Sequence, residues 1–81
     1  MGRTTIHSDE YRSLVAILRD LRLKAGMTQA ELSERLGRPQ SFVSKVERGE
    51  RRLDLVELRQ LCFAVASDVV KVVRQWDRSL K

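Results

Sequence analysis

Between residues 40 and 48 the chain places polar side chains at the spacing of one helix face, opposite Val43 and Val46. These side chains are Gln40, Ser41, Ser44, Lys45 and Arg48. Each can donate hydrogen bonds, and an α-helix fits the major groove of DNA, where donors and acceptors read the edges of the bases. Glutamine can pair with adenine and lysine with guanine, while serine tolerates several bases. The chemistry predicted for this face is therefore recognition of a nucleic acid.

The same part of the chain holds most of the excess positive charge. The protein has 81 residues, with 16 lysines and arginines against 11 acidic residues, and a formal net charge of +5. Residues 35–52 alone contain six basic and two acidic side chains, which leaves a net charge of +4 in that segment. Concentrated positive charge favours polyanionic partners, with nucleic acid ahead of an anionic membrane.

The elements that must position this face are short helices with recognisable starts and stops. Ser8 is an N-cap residue for helix one, and glycines at positions 26, 37 and 49 end the first three helices. Capping boxes predict the starts of helix two at Thr28–Glu31 and of helix four at Asp54–Glu57. Helix three is predicted to begin near Pro39 and helix five near Ser67. We therefore predict one all-α, compact five-helix domain over residues 1–81, with its core in residues 8–66.

Apolar residues recur at helical spacing within each predicted helix and define the expected core. The stripe of helix four consists of Leu55, Leu58, Leu61, Cys62 and Val65. Helix five, over residues 67–78, carries a wide stripe that includes Val69, Val72, Val73 and Trp76. A domain of this size buries only a limited fraction of its surface. We therefore expect part of the helix-five stripe to pack against a second copy, in a homodimer.

Helices two and three are joined by about three residues around Gly37, too few to form a long antiparallel hairpin. So short a link favours a sharp crossing of two short helices, the geometry of a helix-turn-helix. Such a crossing needs small residues where the helices touch, and Ser33 and Gly37 supply them. We place Phe42 at the edge of the inward face of helix three, packed against the domain.

Two motifs at this spacing carry a family resemblance: GMTQAEL from Gly26 and VSKVERG from Val43. The stretch from Arg22 to Val65 resembles the Cro/repressor-type, XRE-like family of helix-turn-helix regulators. Ser33 departs from the family's usual alanine, but serine is small enough to keep the packing. The resemblance implies a lambda-repressor-like fold and a sequence-specific DNA-binding transcriptional regulator, repressor-like and dimeric, on double-stranded DNA.

The resemblance also implies roles for individual side chains. Base readers of the family match Gln40, Ser41 and Lys45, with Ser44 adjacent. Residues expected to contact phosphate are Gln29, Arg48, Arg51 and Arg52, and Arg38 in the turn is a further candidate. Glu47 lies on the inner side of helix three, where a carboxylate is costly unless it is paired. In the family, the positions that match Arg22 and Glu47 form a salt bridge between helices one and three. We therefore expect a structural salt bridge between Arg22 and Glu47.

Other classes of protein have weaker support. One cysteine, Cys62, and one histidine, His7, are too few for a structural zinc site, and neither has a convincing catalytic partner. We therefore expect no enzyme activity, cofactor, metal or small-molecule ligand. The polar segment Met1–Glu10 and the absence of a long apolar run suggest a cytoplasmic protein without membrane association. The alternative is an antitoxin-like protein-interaction module in which DNA binding is secondary.

Overall fold

Five α-helices are present in the computed structural model, which describes residues 8–81. The helices are α1 (Asp9–Lys24), α2 (Gln29–Arg35), α3 (Phe42–Glu47), α4 (Leu55–Ala64) and α5 (Val69–Ser79). The prediction of an all-α, five-helix fold is confirmed, since residues 8–81 contain no strand. His7 and the segment before it lie outside the described residues.

Hydrogen-bonded caps fix the starts of the helices. Ser8 caps α1 by accepting a 3.1 Å hydrogen bond from the Tyr11 amide. The box at Thr28–Glu31 forms with reciprocal bonds of 3.0 and 2.8 Å, and the box at Asp54–Glu57 forms with bonds of 2.7 and 3.0 Å. Each of these boxes satisfies two amides that the first helical turn leaves without a partner.

Two predicted helix starts differ from the structure. The predicted start of helix three near Pro39 is a turn, in which the Phe42 amide donates to the Pro39 carbonyl at 2.9 Å. Helix α3 itself begins at Phe42. In α5 the N-cap is Asp68, one residue after the predicted Ser67, and its carboxylate accepts from the Val70 amide. Two of the predicted base readers therefore lie in the turn that leads into α3.

The core forms where the inner faces of all five helices meet. Its fully buried members are Leu18, Leu32, Ser33, Val43, Val46, Leu61, Cys62 and Val72. Leu58 and Val65 belong to this core, as predicted. The prediction that Leu55 is a core residue is wrong, because its side chain is exposed at the first turn of α4. The helical period alone could not fix how far the inner stripe extends towards the N-terminus of α4.

The crossing of α2 and α3 depends on two small residues. Ser33 is fully buried, and its hydroxyl accepts a 3.0 Å hydrogen bond from the Val43 amide at the start of α3. Gly37 adopts φ +68°, a left-handed conformation that suits glycine, and no atom lies close to where its Cβ would be. The glycine is therefore required by the backbone of the turn and not by crowding.

The apolar stripe of α5 packs within its own domain. Val72 is buried, and Val69, Val73 and Trp76 pack partly buried against the core. The Trp76 indole N–H donates to the Glu10 carbonyl at 2.8 Å, which ties the end of α5 to the start of α1. Most of this stripe therefore packs against α1 and the core, Val70 remains exposed, and the role of α5 in a homodimer stays a prediction.

Candidate nucleic-acid interface

The predicted base readers lie together at the start of α3. Gln40 and Ser41 are exposed in the preceding turn, Lys45 is exposed in the helix, and Ser44 is partly buried. On the opposite side of the helix Val43 and Val46 are fully buried. Ser41 occupies the N-cap position without making a side-chain capping bond. The segment thus presents one polar face to solvent from a backbone that its apolar face holds in place.

Ser44 and Arg48 form one unit at the end of this face. The Arg48 guanidinium donates to the Ser44 hydroxyl oxygen and makes two bonds of 3.0 and 3.1 Å to the Glu50 carboxylate. Both Arg48 and Glu50 are solvent-exposed. A predicted base reader and a predicted phosphate contact are therefore joined directly, which sequence spacing alone did not indicate.

Behind α3, the Glu47 carboxylate accepts hydrogen bonds from two other helices. Arg22 of α1 contacts it through two nitrogens, at 2.7 and 3.0 Å, and both side chains are buried. A third Arg22 nitrogen donates to the Met27 carbonyl at 2.8 Å. Gln29 of α2 donates its amide to the same carboxylate at 2.8 Å. This group, named here the Glu47 network, links α1, α2 and α3.

A second carboxylate, Glu57, holds two of the predicted phosphate contacts. Arg51 donates to it through two nitrogens at 2.9 and 2.8 Å, and Arg38 donates at 2.7 Å. The bond from Arg51, the Asp54 backbone amide and the bond from Arg38 together lower the pKa of Glu57 from 4.5 to about 2, against a smaller opposing effect of desolvation. Glu57, Arg38 and Arg51 are named here the Glu57 network.

Aromatic rings support the arginines of this region. The guanidinium carbons of Arg38 and Arg51 lie 4.7 and 4.9 Å from the centroid of the Phe42 ring, which is itself buried. Arg52 lies 4.9 Å from the centroid of the Tyr11 ring. These distances are within the range of cation–π contact. The side chains of Arg38 and Arg51 remain 34% and 39% exposed, so neither arginine is sealed inside the domain.

Neither Glu57 nor Phe42 was predicted to be a member of a site. Glu57 was assigned only to the capping box of α4, and Phe42 only to packing. The missing information is tertiary: Arg38 and Glu57 are 19 residues apart and meet only when the turn before α3 lies beside the start of α4. An acidic residue in a capping box that is preceded by two arginines was the only available signal.

Other kinds of site have little basis in the described part of the chain. Among residues 8–81, no group of three or more histidine, cysteine or acidic side chains could hold a metal ion. Cys62 is buried in the core, where desolvation raises the pKa of its thiol to about 11. No helix in this part of the chain is long and apolar enough to cross a membrane.

Solved structures of known proteins share this fold. The clp gene regulator ClgR from Corynebacterium glutamicum superposes with a TM-score of 0.77 at 28% identity, over 89% of this chain and 77% of that one. The restriction-modification controller protein C.Esp1396I, solved as a tetramer with its natural 35 base-pair operator, gives a TM-score of 0.79. Its identity is 22%, over 93% of this chain and 100% of that one, which shows the fold alone. No protein of curated function matches the sequence.

Sequence similarity is stronger in two other comparisons. Residues 13–73 match the family model of a helix-turn-helix domain. An XRE-family like protein from Pseudomonas syringae pv. tomato str. DC3000 is 42% identical, over 94% of this chain and 93% of that one, and superposes with a TM-score of 0.86. Together with the buried crossing of α2 and α3, these matches show that the chain belongs to the XRE-like family of helix-turn-helix proteins.

Proposed function

We propose that this protein is a transcriptional regulator that binds duplex DNA sequence-specifically, as a homodimer, with the start of α3 in the major groove. The observation that carries the proposal is the exposed polar face at Gln40, Ser41 and Lys45, on a segment whose opposite face is buried. Base readout is favoured by a backbone that is already fixed, because ordering a mobile segment on binding costs entropy.

Base recognition follows from the side chains at this face. Gln40 can form a bidentate pair with adenine, and Lys45 can donate to the acceptors of guanine. The hydroxyl oxygen of Ser44 already accepts a hydrogen bond from Arg48, so its own proton remains available to an acceptor on a base or a phosphate. Each good base contact should contribute about 1–3 kcal/mol of discrimination.

Contacts to the phosphate backbone of DNA are assigned to the side chains around this face. Arg38 and Arg51 are held by Glu57 and Phe42 while about a third or more of each side chain stays exposed, so they can contact phosphate with little loss of freedom. Arg48 and Arg52 are exposed in the same region. Gln29 is partly engaged with Glu47, and the second N–H of its amide can reach a phosphate.

A regulatory role agrees with what is known of similar proteins. ClgR is a gene regulator, and C.Esp1396I binds an operator. One module of this size buries only roughly 600–1,000 Å² on DNA, so a pair of modules on half-sites about one helical turn apart would give more useful specificity. A cytoplasmic location, where DNA is present and Cys62 stays reduced, fits this proposal.

Selection of bound sequences from a random duplex library tests the proposal. The parent protein should enrich one motif, repeated with two-fold symmetry at a spacing of about one helical turn. The matched variant Lys45→Ala should shift the preference at one position in each half-site and leave the fold intact, because Lys45 is exposed. A pool that remains random with the parent protein would reject sequence-specific binding. Association with another protein, without any enrichment of DNA, would favour the antitoxin-like alternative.

A further inference from the structure

The fourth helix carries apolar side chains on both of its sides. Leu58, Leu61 and Cys62 face the core and are buried. On the opposite side Val56 and Phe63 are 66% and 83% exposed, and Leu55, at the edge of the core side in the first turn, is 72% exposed. Large apolar side chains on the solvent side of a helix whose inner face is already buried indicate a surface that another molecule covers. The exposed side, with Arg59 and Gln60 between the apolar residues, is named here the outer face of α4.

The outward-facing side of α5 is mostly polar, unlike the outer face of α4. This difference favours α4 over α5 as a surface for association. The apolar stripe of α5 is used by the core of its own domain, with Val72 buried and Trp76 bonded to α1. Most of its outward-facing residues are charged or polar, including Lys71, Arg74 and Gln75. Among the described helices, α4 therefore offers the larger apolar surface that the domain itself does not cover.

We propose that the outer face of α4 is the surface through which two copies of this chain associate, around a two-fold axis. The inference deepens the proposed function, because it names the interface of the DNA-binding homodimer, and it rests on that function for its biological role. It moves the interface from α5, where sequence periodicity placed it, to α4.

The sequence of the outer face is self-complementary. A two-fold axis requires that if residue i contacts residue j of the other copy, j also contacts i. Two antiparallel α4 helices centred between Arg59 and Gln60 place Phe63 opposite Val56 of the partner subunit. The same register places the Arg59 guanidinium opposite the amide oxygen of Gln60 of the partner subunit, which can accept its hydrogen bond. Apolar residues thus meet apolar residues, and the arginine meets an acceptor.

The area of the face also fits a second copy. The exposed parts of Val56, Phe63 and Leu55 together supply apolar surface on the order of a few hundred Å², comparable with the largest apolar patches of monomeric proteins, which are often functional. Arg59 and Gln60, both exposed, extend it towards the roughly 800 Å² that each partner contributes to a stable interface. None of the residues assigned to DNA contact lies on this face, so association and DNA binding can occur together.

Sedimentation analysis over a range of protein concentrations tests the interface directly. The parent protein should be dimeric, and Phe63→Asp should raise the dissociation constant of the dimer at least about 30-fold, as loss of a central aromatic contact does. The fold should remain, by circular dichroism, since Phe63 is exposed. The control Val70→Asp, at an exposed apolar residue of α5, should stay dimeric. A monomeric parent, or a Phe63→Asp variant that stays dimeric, would overturn the proposal.

Cross-linking provides a second test that does not depend on weakening the dimer. The double variant Val56→Cys/Phe63→Cys should form disulfide-linked dimers under mild oxidation, because the proposed register places the two positions opposite each other. The native Cys62 is buried, so the parent protein gives the background. Val70→Cys on α5 should give no more than that background. Linkage at position 70 without linkage at 56 and 63 would return the interface to α5 and reject α4.

The outcomes separate the interface from the function on which it rests. A parent protein that enriches a DNA motif but is monomeric, or dimeric through α5, rejects the α4 interface and leaves DNA recognition in place. A protein that dimerises through α4 but enriches no DNA motif supports the interface and rejects the proposed function.

Discussion

Two glutamates hold arginine side chains close to α3, Glu47 at the end of α3 and Glu57 in the first turn of α4, but their surroundings differ. Glu47 accepts hydrogen bonds from Arg22 and Gln29, and Glu57 accepts them from Arg38 and Arg51. Both carboxylates are buried. In the Glu47 network the arginine is buried as well, whereas in the Glu57 network both arginines remain more than one-third exposed.

The difference indicates a division of labour between the two networks. A buried ion pair is strongly destabilising when one partner is removed, because the remaining charge has no water around it. A partly exposed pair is screened by solvent and contributes less. We therefore expect the Glu47 network to set the stability and orientation of α3, and the Glu57 network to hold cationic side chains where they can still reach DNA.

The largest effect is expected for Arg22→Ala. It leaves the Glu47 carboxylate buried with Gln29 as its remaining side-chain donor, and should lower the free energy of unfolding by about 3 kcal/mol. Urea denaturation measures this loss, with Arg19→Ala, an exposed arginine of the same helix, as the control. Sequence preference at a temperature where the variant is folded should not change. An unfolding curve that overlays the parent curve would remove the distinction between the networks.

The acid sensitivity of the Glu57 network gives the next effect. Because the pKa of Glu57 is about 2 in the folded protein and near 4.5 unfolded, its contribution to stability is present above pH 4.5 and is lost as pH falls towards 2. After allowance for solvent screening of the arginines, this contribution should be about 1–2 kcal/mol.

Unfolding of the parent and of Glu57→Gln, followed between pH 6 and about pH 2, measures that contribution. Glutamine keeps an oxygen for the Asp54 amide, so the capping bond can persist while the ion pairs are lost. The difference in unfolding free energy between the two proteins should shrink as the pH falls. A difference that is independent of pH would mean that the two arginines do not favour the charged carboxylate.

Gln29→Ala distinguishes the two roles of Gln29. The substitution removes one hydrogen bond from Glu47 but leaves both bonds from Arg22, so it should cost about 1 kcal/mol of stability. If Gln29 also contacts phosphate, DNA affinity should fall by a similar amount on every sequence. Thermal unfolding and DNA titration together separate these effects. Unchanged stability would exclude Gln29 from the Glu47 network in solution.

The smallest effect on stability, and the sharpest test of the Glu57 network, comes from Arg51→Gln. Removal of one phosphate contact per subunit should reduce the slope of log K against log salt by about 0.9 for each subunit, or about 1.8 for the homodimer, and weaken binding to all sequences alike. Lys71→Gln changes the net charge equally on the exposed side of α5 and serves as the control. If both variants change the slope to the same extent, Arg51 acts only through net charge and not through contact.

Local features of the molecule were predictable, and tertiary ones were less so. Ser8 and the two capping boxes fix helix starts through bonds that span only a few residues, so the sequence indicates them directly. The Arg22–Glu47 pair was expected because the family motif places both residues. The Glu57 network was missed, because nothing local brings Arg38 to the start of α4.

The wrong assignments have a common physical origin. Helical spacing identifies an apolar stripe, but it cannot say which neighbour covers that stripe. Most of the stripe of α5 packs against α1 and the core, as the bond from Trp76 to Glu10 illustrates, while Val70 is exposed. Leu55 has the correct spacing for the core and still lies in solvent, because the domain ends beside the first turn of α4. Surplus apolar surface was thus expected on α5 and is found mainly on α4.

The bond between Ser33 and the Val43 amide has a consequence for how the domain opens. A helix of six residues is too short to persist alone, and α3 has no side-chain cap of its own at Ser41. One of its first amides is satisfied instead by a hydroxyl from α2. Local unfolding of α2 therefore withdraws the cap from α3, and the two helices should open as one cooperative unit in hydrogen exchange. The proposed DNA-reading surface on α3 should therefore be no better protected than α2, because each opening of α2 also opens α3.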